Sequence, residues 1–170
     1  MDRRERVILV NEHDVVVGQA EKQAAHRAGA LHRAFSVFVQ DGAGRVLLQR
    51  RALSKYHSGG LWSNTCCGHP RPGEDTRAAA ARRLREELGF ECSLEPAGAF
   101  VYRAQLGELV EHEYDHVFAG RFDGSPAPDP AEVAEWRWVG VEQLEKDLGA
   151  FPERYTVWLA QALEHLKKGR

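Results

Sequence analysis

The segment from Gly68 to Phe90 constrains this chain most, because a stretch barred from regular structure runs straight into a strong helix signal. In Gly68-His69-Pro70-Arg71-Pro72-Gly73 two prolines lack amide donors and two glycines remove side-chain restraint, so the segment is a loop. A helix is expected from Thr76 to Leu88. Asp75 or Thr76 can cap it, four consecutive alanines favour it, and Gly89 supplies the left-handed stop. Ala81, Leu84 and Leu88 mark its buried face. Glycines let a backbone approach phosphate oxygens, and helical carboxylates can hold the cation that bridges them. Taken alone, Arg83 and Glu87 form only an i, i+4 pair, worth about 0.3–0.5 kcal/mol on a helix surface. On residue types alone the segment is a loop leading into a helix that carries both signs of charge.

The flanking sequence supplies strands and further helices. Arg6–Val10 and Val15–Gly18 read as strands around the turn Asn11-Glu12-His13-Asp14, and Ala20–Ala28 as a short helix ending at Gly29. Arg33–Gln40 and Arg45–Arg50 form a hairpin through Asp41-Gly42-Ala43-Gly44. Leu53–Gly60 is a polar loop, and Leu61–Cys67 leads into the glycine–proline segment. Ala99–Gln105 and Val110–Phe122 are β-rich, and Asp123–Pro130 with its three prolines is a loop. A short strand at Trp136–Val139 precedes two helices, near Val141–Leu148 and Arg154–Lys168. These elements predict an α/β (α+β) sandwich in which a mixed sheet carries packed helices, built as one domain over residues 1–170.

Composition narrows the function. Of 170 residues, 23 are Lys or Arg and 25 are Asp or Glu, so an even balance of -2 gives no electrostatic ground for nucleic-acid binding. No apolar run approaches the ~20 residues that cross a bilayer. The opening Met1-Asp2-Arg3-Arg4-Glu5-Arg6 leads into too few apolar residues for a secretory leader, so a cytoplasmic protein without membrane contact is expected. Three cysteines, two of them adjacent at Cys66 and Cys67, argue against a disulfide framework. Eight histidines beside these thiols point to metal or acid–base chemistry. Glu111 and Glu113, two apart in a strand, face the same way and His112 faces the other. His26 and His32 are six apart, so a turn rather than a helix face must unite them.

Gly68, five residues, Glu74, seven residues and Arg82, followed by Leu84, Glu86, Glu87, Gly89 and Phe90, resembles the Nudix box, which binds a divalent metal and a diphosphate. The hydrolase form of that box has Glu immediately after the arginine, whereas this chain has Arg83. A cation there removes a metal-holding carboxylate, so the expectation is a protein that binds diphosphate without cutting it. With Ser63-Asn64-Thr65-Cys66-Cys67-Gly68-His69-Pro70, this departure makes the chain resemble a type 1 isopentenyl-diphosphate isomerase. The likeness extends through Glu21-Lys22, Leu31–Ser36, Arg50–Lys55, Gly60-Leu61-Trp62, Tyr102-Arg103-Ala104, Glu111-His112-Glu113 and Trp158.

The resemblance implies a Nudix core at about 32–165 and interconversion of isopentenyl and dimethylallyl diphosphate. It makes His26, His32, His69, Glu111 and Glu113 the five ligands of one metal, for which Mn²⁺, Mg²⁺ and Zn²⁺ all suit nitrogen and oxygen donors. It places Cys67 and Glu113 as the two acid–base groups, with Tyr102 assisting Glu113, and Trp158 as a π face for the tertiary cation. In the expected order Glu113 protonates the terminal methylene and Cys67 removes a proton from the carbon beside the diphosphate-bearing methylene. Lys22, Arg51, Lys55 and Arg83 match positions that contact the diphosphate, and a second ion, Mg²⁺, is expected to bridge it to Glu87 and the Cys67 main-chain carbonyl. Family members usually have proline before the tryptophan, where this chain has Val157. His13, His57, His116 and His165 are read as ordinary polar or surface residues, and Cys66 and Cys92 as small hydrophobes. Against this stand a Nudix hydrolase of a nucleoside diphosphate derivative, a non-catalytic diphosphate- or metal-binding module, and a purely structural metal site. The partner expected is a small prenyl diphosphate, and the assembly a monomer or weak homodimer.

Overall fold

The computed structural model describes residues 5–169; Met1–Arg4, read above as part of a segment unlike a leader, lie outside the described residues. The strands are β1 (Arg6–Val10), β2 (Val16–Glu21), β3 (His32–Gln40), β4 (Val46–Arg51), β5 (Trp62–Ser63), β6 (Cys66–Gly68), β7 (Leu94–Leu106), β8 (Leu109–Arg121) and β9 (Val133–Val139). The helices are α1 (Lys22–Ala28), α2 (Thr76–Leu88), α3 (Val141–Ala150) and α4 (Leu159–Lys168). No helix among the described residues is long and apolar enough to cross a membrane.

β3 is the hub of the sheet. One edge pairs in parallel with β8 from His32↔Glu113 to Gln40↔Arg121, while the other meets β1, β6 and β4 in succession, all antiparallel. β7 extends the sheet beyond β8, and β9 runs antiparallel to β4 from Val46↔Val139 to Arg51↔Val133. A central strand is apolar where helices cover it, and β3 is so along its α2 face and around Phe38 on the other. Phe35, Val37 and Val39 pack with Ala79, Ala80, Leu84 and Leu88 of α2; Phe38 packs on the opposite face with Leu144 of α3 and Leu159, Ala162, Leu163 and Leu166 of α4. The mixed sheet therefore sits between helices, as expected.

The bounds of α2 match expectation: Asp75 caps it by accepting the Ala78 N–H at 3.0 Å, and Gly89 ends it in the left-handed region at φ 71°. Its buried face differs slightly, since Ala80 rather than Ala81 is fully enclosed. The first helix begins at Lys22, because Ala20 and Glu21 stay in β2 through pairing with Val7 and Arg6. The last helix departs more. Pro152–Arg154 forms a single 3₁₀ turn, the chain then straightens at Tyr155, and the helix starts only at Leu159. The cause is a bridge to β5: Thr156 N–H donates to Trp62 O at 2.9 Å, which holds that stretch away from helical geometry. Trp158 thus caps α4 instead of lying on its apolar face.

Candidate metal and acid–base site

The face of the sheet covered by α4 has a second half that α4 does not reach, and strand alternation fills it with polar groups. Tyr102 on β7, Glu113 on β8 and His32 on β3 form one lateral row, and Val117, Ser36 and Cys67 form another. Glu111 and Asp115 flank Glu113 on the same face of β8, and His112 points away to Gly29 O at 3.1 Å. The turn at Gly29 brings His26 of α1 beside His32, with ring centroids 4.9 Å apart.

Glu113 anchors the cluster. Its Oε2 lies 3.1 Å from His32 Nε2 and 2.7 Å from His69 Nε2, while Tyr102 O–H donates to its Oε1 at 2.5 Å and to Glu111 Oε2 at 2.9 Å. Burial and the neighbouring Glu111 push the Glu113 carboxyl up, but His69 and His32 outweigh them and hold it below its ordinary value. Glu111 is held well below its own, where burial is overcome by His26 and by His57, whose Nε2 meets Glu111 Oε1 directly. His26 is fully buried, yet neither ring nitrogen has a hydrogen-bond partner, and Glu111 Oε1 stands 3.6 Å from its Nε2. An orphaned imidazole so enclosed is costly unless something else satisfies it. Donor atoms of His26, His32, His69 and Glu113 fall within 4.8 Å of one another, as do those of His26, His57 and Glu111. Imidazoles and carboxylates converging in this way fit a divalent cation.

The adjacent cysteines separate by the same alternation. Cys66 faces α2, where its Sγ lies 3.1 Å from Glu87 Oε1; Cys67 faces the open half of the sheet. Asn64 then fixes the Cys67 thiol. Its amide N–H groups donate to Val37 O and Cys66 O at 3.1 and 2.9 Å, which turns Oδ1 toward the sulfur, 3.1 Å away. Trp158 Nε1–H reaches both that Oδ1 and Sγ, at 3.1 and 3.2 Å. Burial, reinforced by the Asp115 carboxyl, pushes the thiol up to about 12. A thiol raised from 9 to about 12 holds ~10³-fold less thiolate at pH 8. Alkylation of Cys67 by iodoacetamide, followed by fragment-resolved mass spectrometry, is therefore expected to be about tenfold or more slower than that of a free thiol at pH 8 and to accelerate with rising pH. Rapid labelling at pH 8 would contradict a thiol pushed up in this way.

A cavity of about 870 Å³ joins these groups to the basic residues. Cys67, His69, Glu111, Glu113, Asp115 and Trp158 line it together with the cations Lys22, Arg51, Lys55 and Arg83. Lys22 stands 3.4 Å from Glu5, and Arg51 lies 5.7 Å over the Trp158 ring with its Nε unpartnered. Lys55 meets Glu132 and, at 3.3 Å, Glu87. Arg83 pairs with Glu86 at 2.7 Å, Glu132 at 3.2 Å and Glu87 at 3.7 Å. The Cys66 thiol sits between Glu87 and the Cys67 carbonyl, 3.1 and 3.9 Å from the two.

Of the five expected ligands, His26, His32, His69 and Glu113 share one group, whereas Glu111 groups with His26 and His57; other residues join the site as well. Asp115 continues the i, i+2 series begun by Glu111 and Glu113, a signal legible in the sequence; it accepts the Ser36 hydroxyl at 2.8 Å and leaves Oδ1 unpartnered. Burial, with Glu113 beside it, pushes its carboxyl well up. His57, Asn64 and Glu132 belong to loops, and no periodicity marks them. His116 bonds to Asp14 at 2.9 Å, His165 stacks on Phe100, and His13 is exposed, all outside the cluster as expected.

The fold is that of the Nudix class, and a NUDIX domain profile matches residues 30–159. The similarity sharpens among curated relatives. "Isopentenyl-diphosphate Delta-isomerase 2" of Aromatoleum aromaticum is 56% identical over 163 residues, covering 95% of this chain and 86% of that protein. "Isopentenyl-diphosphate Delta-isomerase" of Burkholderia multivorans is 57% identical over 161 residues, covering 94% and 92%. Among solved structures, DR0079 from Deinococcus radiodurans superposes with a TM-score of 0.79 at 27% identity, covering 98% of this chain and all of that one. The chain belongs to the type 1 isopentenyl-diphosphate Delta-isomerases of the Nudix superfamily.

Proposed function

We infer that this isomerase interconverts isopentenyl and dimethylallyl diphosphate by proton transfer at Cys67 and at Glu113. The observation that carries the reading is that a thiol and a carboxylate, each held by its own hydrogen bonds, line one cavity together with four basic side chains. The reaction needs one proton placed on the terminal methylene and another taken from the carbon beside the diphosphate-bearing methylene. An isolated alkene is a weak base, so the acid has to be positioned and the tertiary cation stabilised.

In this direction Glu113 delivers the proton, with Tyr102 holding Oε1, and Cys67 accepts the second one. The stroke ends with a neutral thiol and an ionised Glu113, the protonation state that the buried sulfur and the imidazole-flanked carboxylate favour. The same state is primed for the reverse reaction, in which Cys67 gives and Glu113 takes. A new forward turnover requires the proton to return to the Glu113 side. Trp158 N–H and the charge of Arg51 support the transient thiolate, and the indole face offers an intervening cation an attraction of about 2 kcal/mol when desolvated.

His26, His32, His69, Glu111 and Glu113 would hold a divalent ion, with Mn²⁺, Mg²⁺ and Zn²⁺ all compatible with the donors. When bound, such an ion supplies positive charge that lowers the proton affinity of Glu113 and makes it a stronger acid. Lys22, Arg51, Lys55 and Arg83 bind the diphosphate, and Glu87 with the Cys67 carbonyl would hold a Mg²⁺ whose charge offsets that of the diphosphate. Hydrolysis is not favoured. Arg83 replaces the carboxylate that the hydrolase box uses, and Glu74 and Glu86 are engaged by Arg82 at 2.8 and 3.2 Å.

The test is incubation with isopentenyl diphosphate and Mg²⁺ in D₂O, followed by NMR. Dimethylallyl diphosphate labelled with solvent deuterium is expected. Release of inorganic phosphate without isomerised product would support the hydrolase instead, and binding without deuterium incorporation would support a non-catalytic module.

A further inference from the structure

The metal-ligand set implied by sequence leaves out one imidazole that the fold delivers to the same place. His57 belongs to the loop between β4 and β5, outside every regular element, yet its side chain is only 11% exposed. Its Nε2 meets Glu111 Oε1, and with His26 and Glu111 its donor atom falls inside a 4.8 Å group. That group shares His26, the orphaned imidazole, with the group formed by His26, His32, His69 and Glu113. Resting on the reading of the cluster as a metal centre, we propose that His57 is a sixth protein donor to that centre.

Three features of the loop support this. First, the far nitrogen of the ring is anchored: His57 Nδ1 lies 3.1 Å from Ser58 Oγ, just as His32 Nδ1 lies 2.9 Å from Ala30 O. Metal-ligating histidines characteristically carry such an outer hydrogen bond, which sets the tautomer and aims the other nitrogen inward. Second, Ser58 adopts a left-handed backbone at φ 56°, uncommon for a residue with a side chain, and its carbonyl accepts Leu61 N–H at 3.3 Å. Strain of this kind persists only where surroundings over-determine the conformation. Third, Arg51 donates to the His57 carbonyl at 3.1 Å, tying the backbone of the loop to the floor of the cavity. The two groups, which meet at His26, together hold four imidazoles and two carboxylates. The same loop carries Lys55, so the cation would also hold the diphosphate-side lysine in place.

The experiment measures Mn²⁺ binding to metal-stripped protein by titration calorimetry, and records the visible spectrum of the Co²⁺-loaded forms. His57→Ala and His57→Gln are expected to weaken Mn²⁺ by at least about tenfold and to change the Co²⁺ spectrum, with His116→Ala matching the parent in both. Unchanged affinity would overturn the proposal. So would weakened affinity with an unaltered Co²⁺ spectrum, since His57 would then only brace Glu111. His32→Ala separates the two levels of inference: if it too binds Mn²⁺ like the parent, the metal-centre reading itself fails and takes the sixth donor with it. Thermal melts of the stripped variants check that each remains folded.

Discussion

Cys67→Ala is expected to lower turnover by about 10⁴-fold, at the upper end of what one positioned proton carrier contributes, or roughly 5.5 kcal/mol in the barrier. The effect is large because none of the groups hydrogen-bonded to the thiol is a base. Asn64 Oδ1 only accepts, Trp158 Nε1–H only donates, and Cys66 faces α2 on the other side of the strand. Affinity for inorganic pyrophosphate is expected to stay within about twofold of the parent, since Lys22, Arg51, Lys55 and Arg83 are untouched. Isomerisation rates followed by NMR, beside pyrophosphate titration, separate the two quantities. Turnover above about one per cent of the parent would shift the proton-transfer role to another group, of which Asp115 is the foremost.

Glu113→Gln is expected to be at least as severe and to differ in kind. The parent carboxylate is shared among Tyr102, His32 and His69. A carboxamide brings an N–H into a space arranged for oxygen, cannot carry the proton, and is a poorer cation ligand. Turnover is expected to fall by about 10⁴-fold or more, with Mn²⁺ affinity falling alongside it. The Cys67 variant loses turnover with metal affinity intact, so titration of the two proteins side by side tells proton transfer from metal holding. A Glu113→Gln protein that binds Mn²⁺ like the parent would remove Glu113 from the ligand set.

Much of this was legible in the residues, and the reasons differ from element to element. α2 was readable to its ends because capping and stop signals are local: Asp75 and Gly89 act within one turn. The shared face of Glu111 and Glu113 followed from the two-residue period of a strand, and Asp115 obeys the same rule. The start of α4 was not readable, because the competing partner is Trp62, far away in sequence, whose carbonyl captures Thr156 and straightens the chain. His57 and Glu132 were missed for a related reason. Loop side chains have no period, and their destinations depend on how β4, β5 and β9 are docked. The site residues implied by family resemblance were brought together, whereas propensity alone offered no ground to prefer His57 over His13.

The parallel alignment of β3 with β8 has a consequence for how the catalyst comes into being. His32 and Glu113 become neighbours only when the intervening eighty-odd residues have been gathered behind them, a long loop to close before any contact rewards it. α2 can form early from local signals, but the pocket cannot. The clustered imidazoles and Cys67 lie in the half of the chain up to α2 and Glu111 and Glu113 in the other, so neither half carries the complete site.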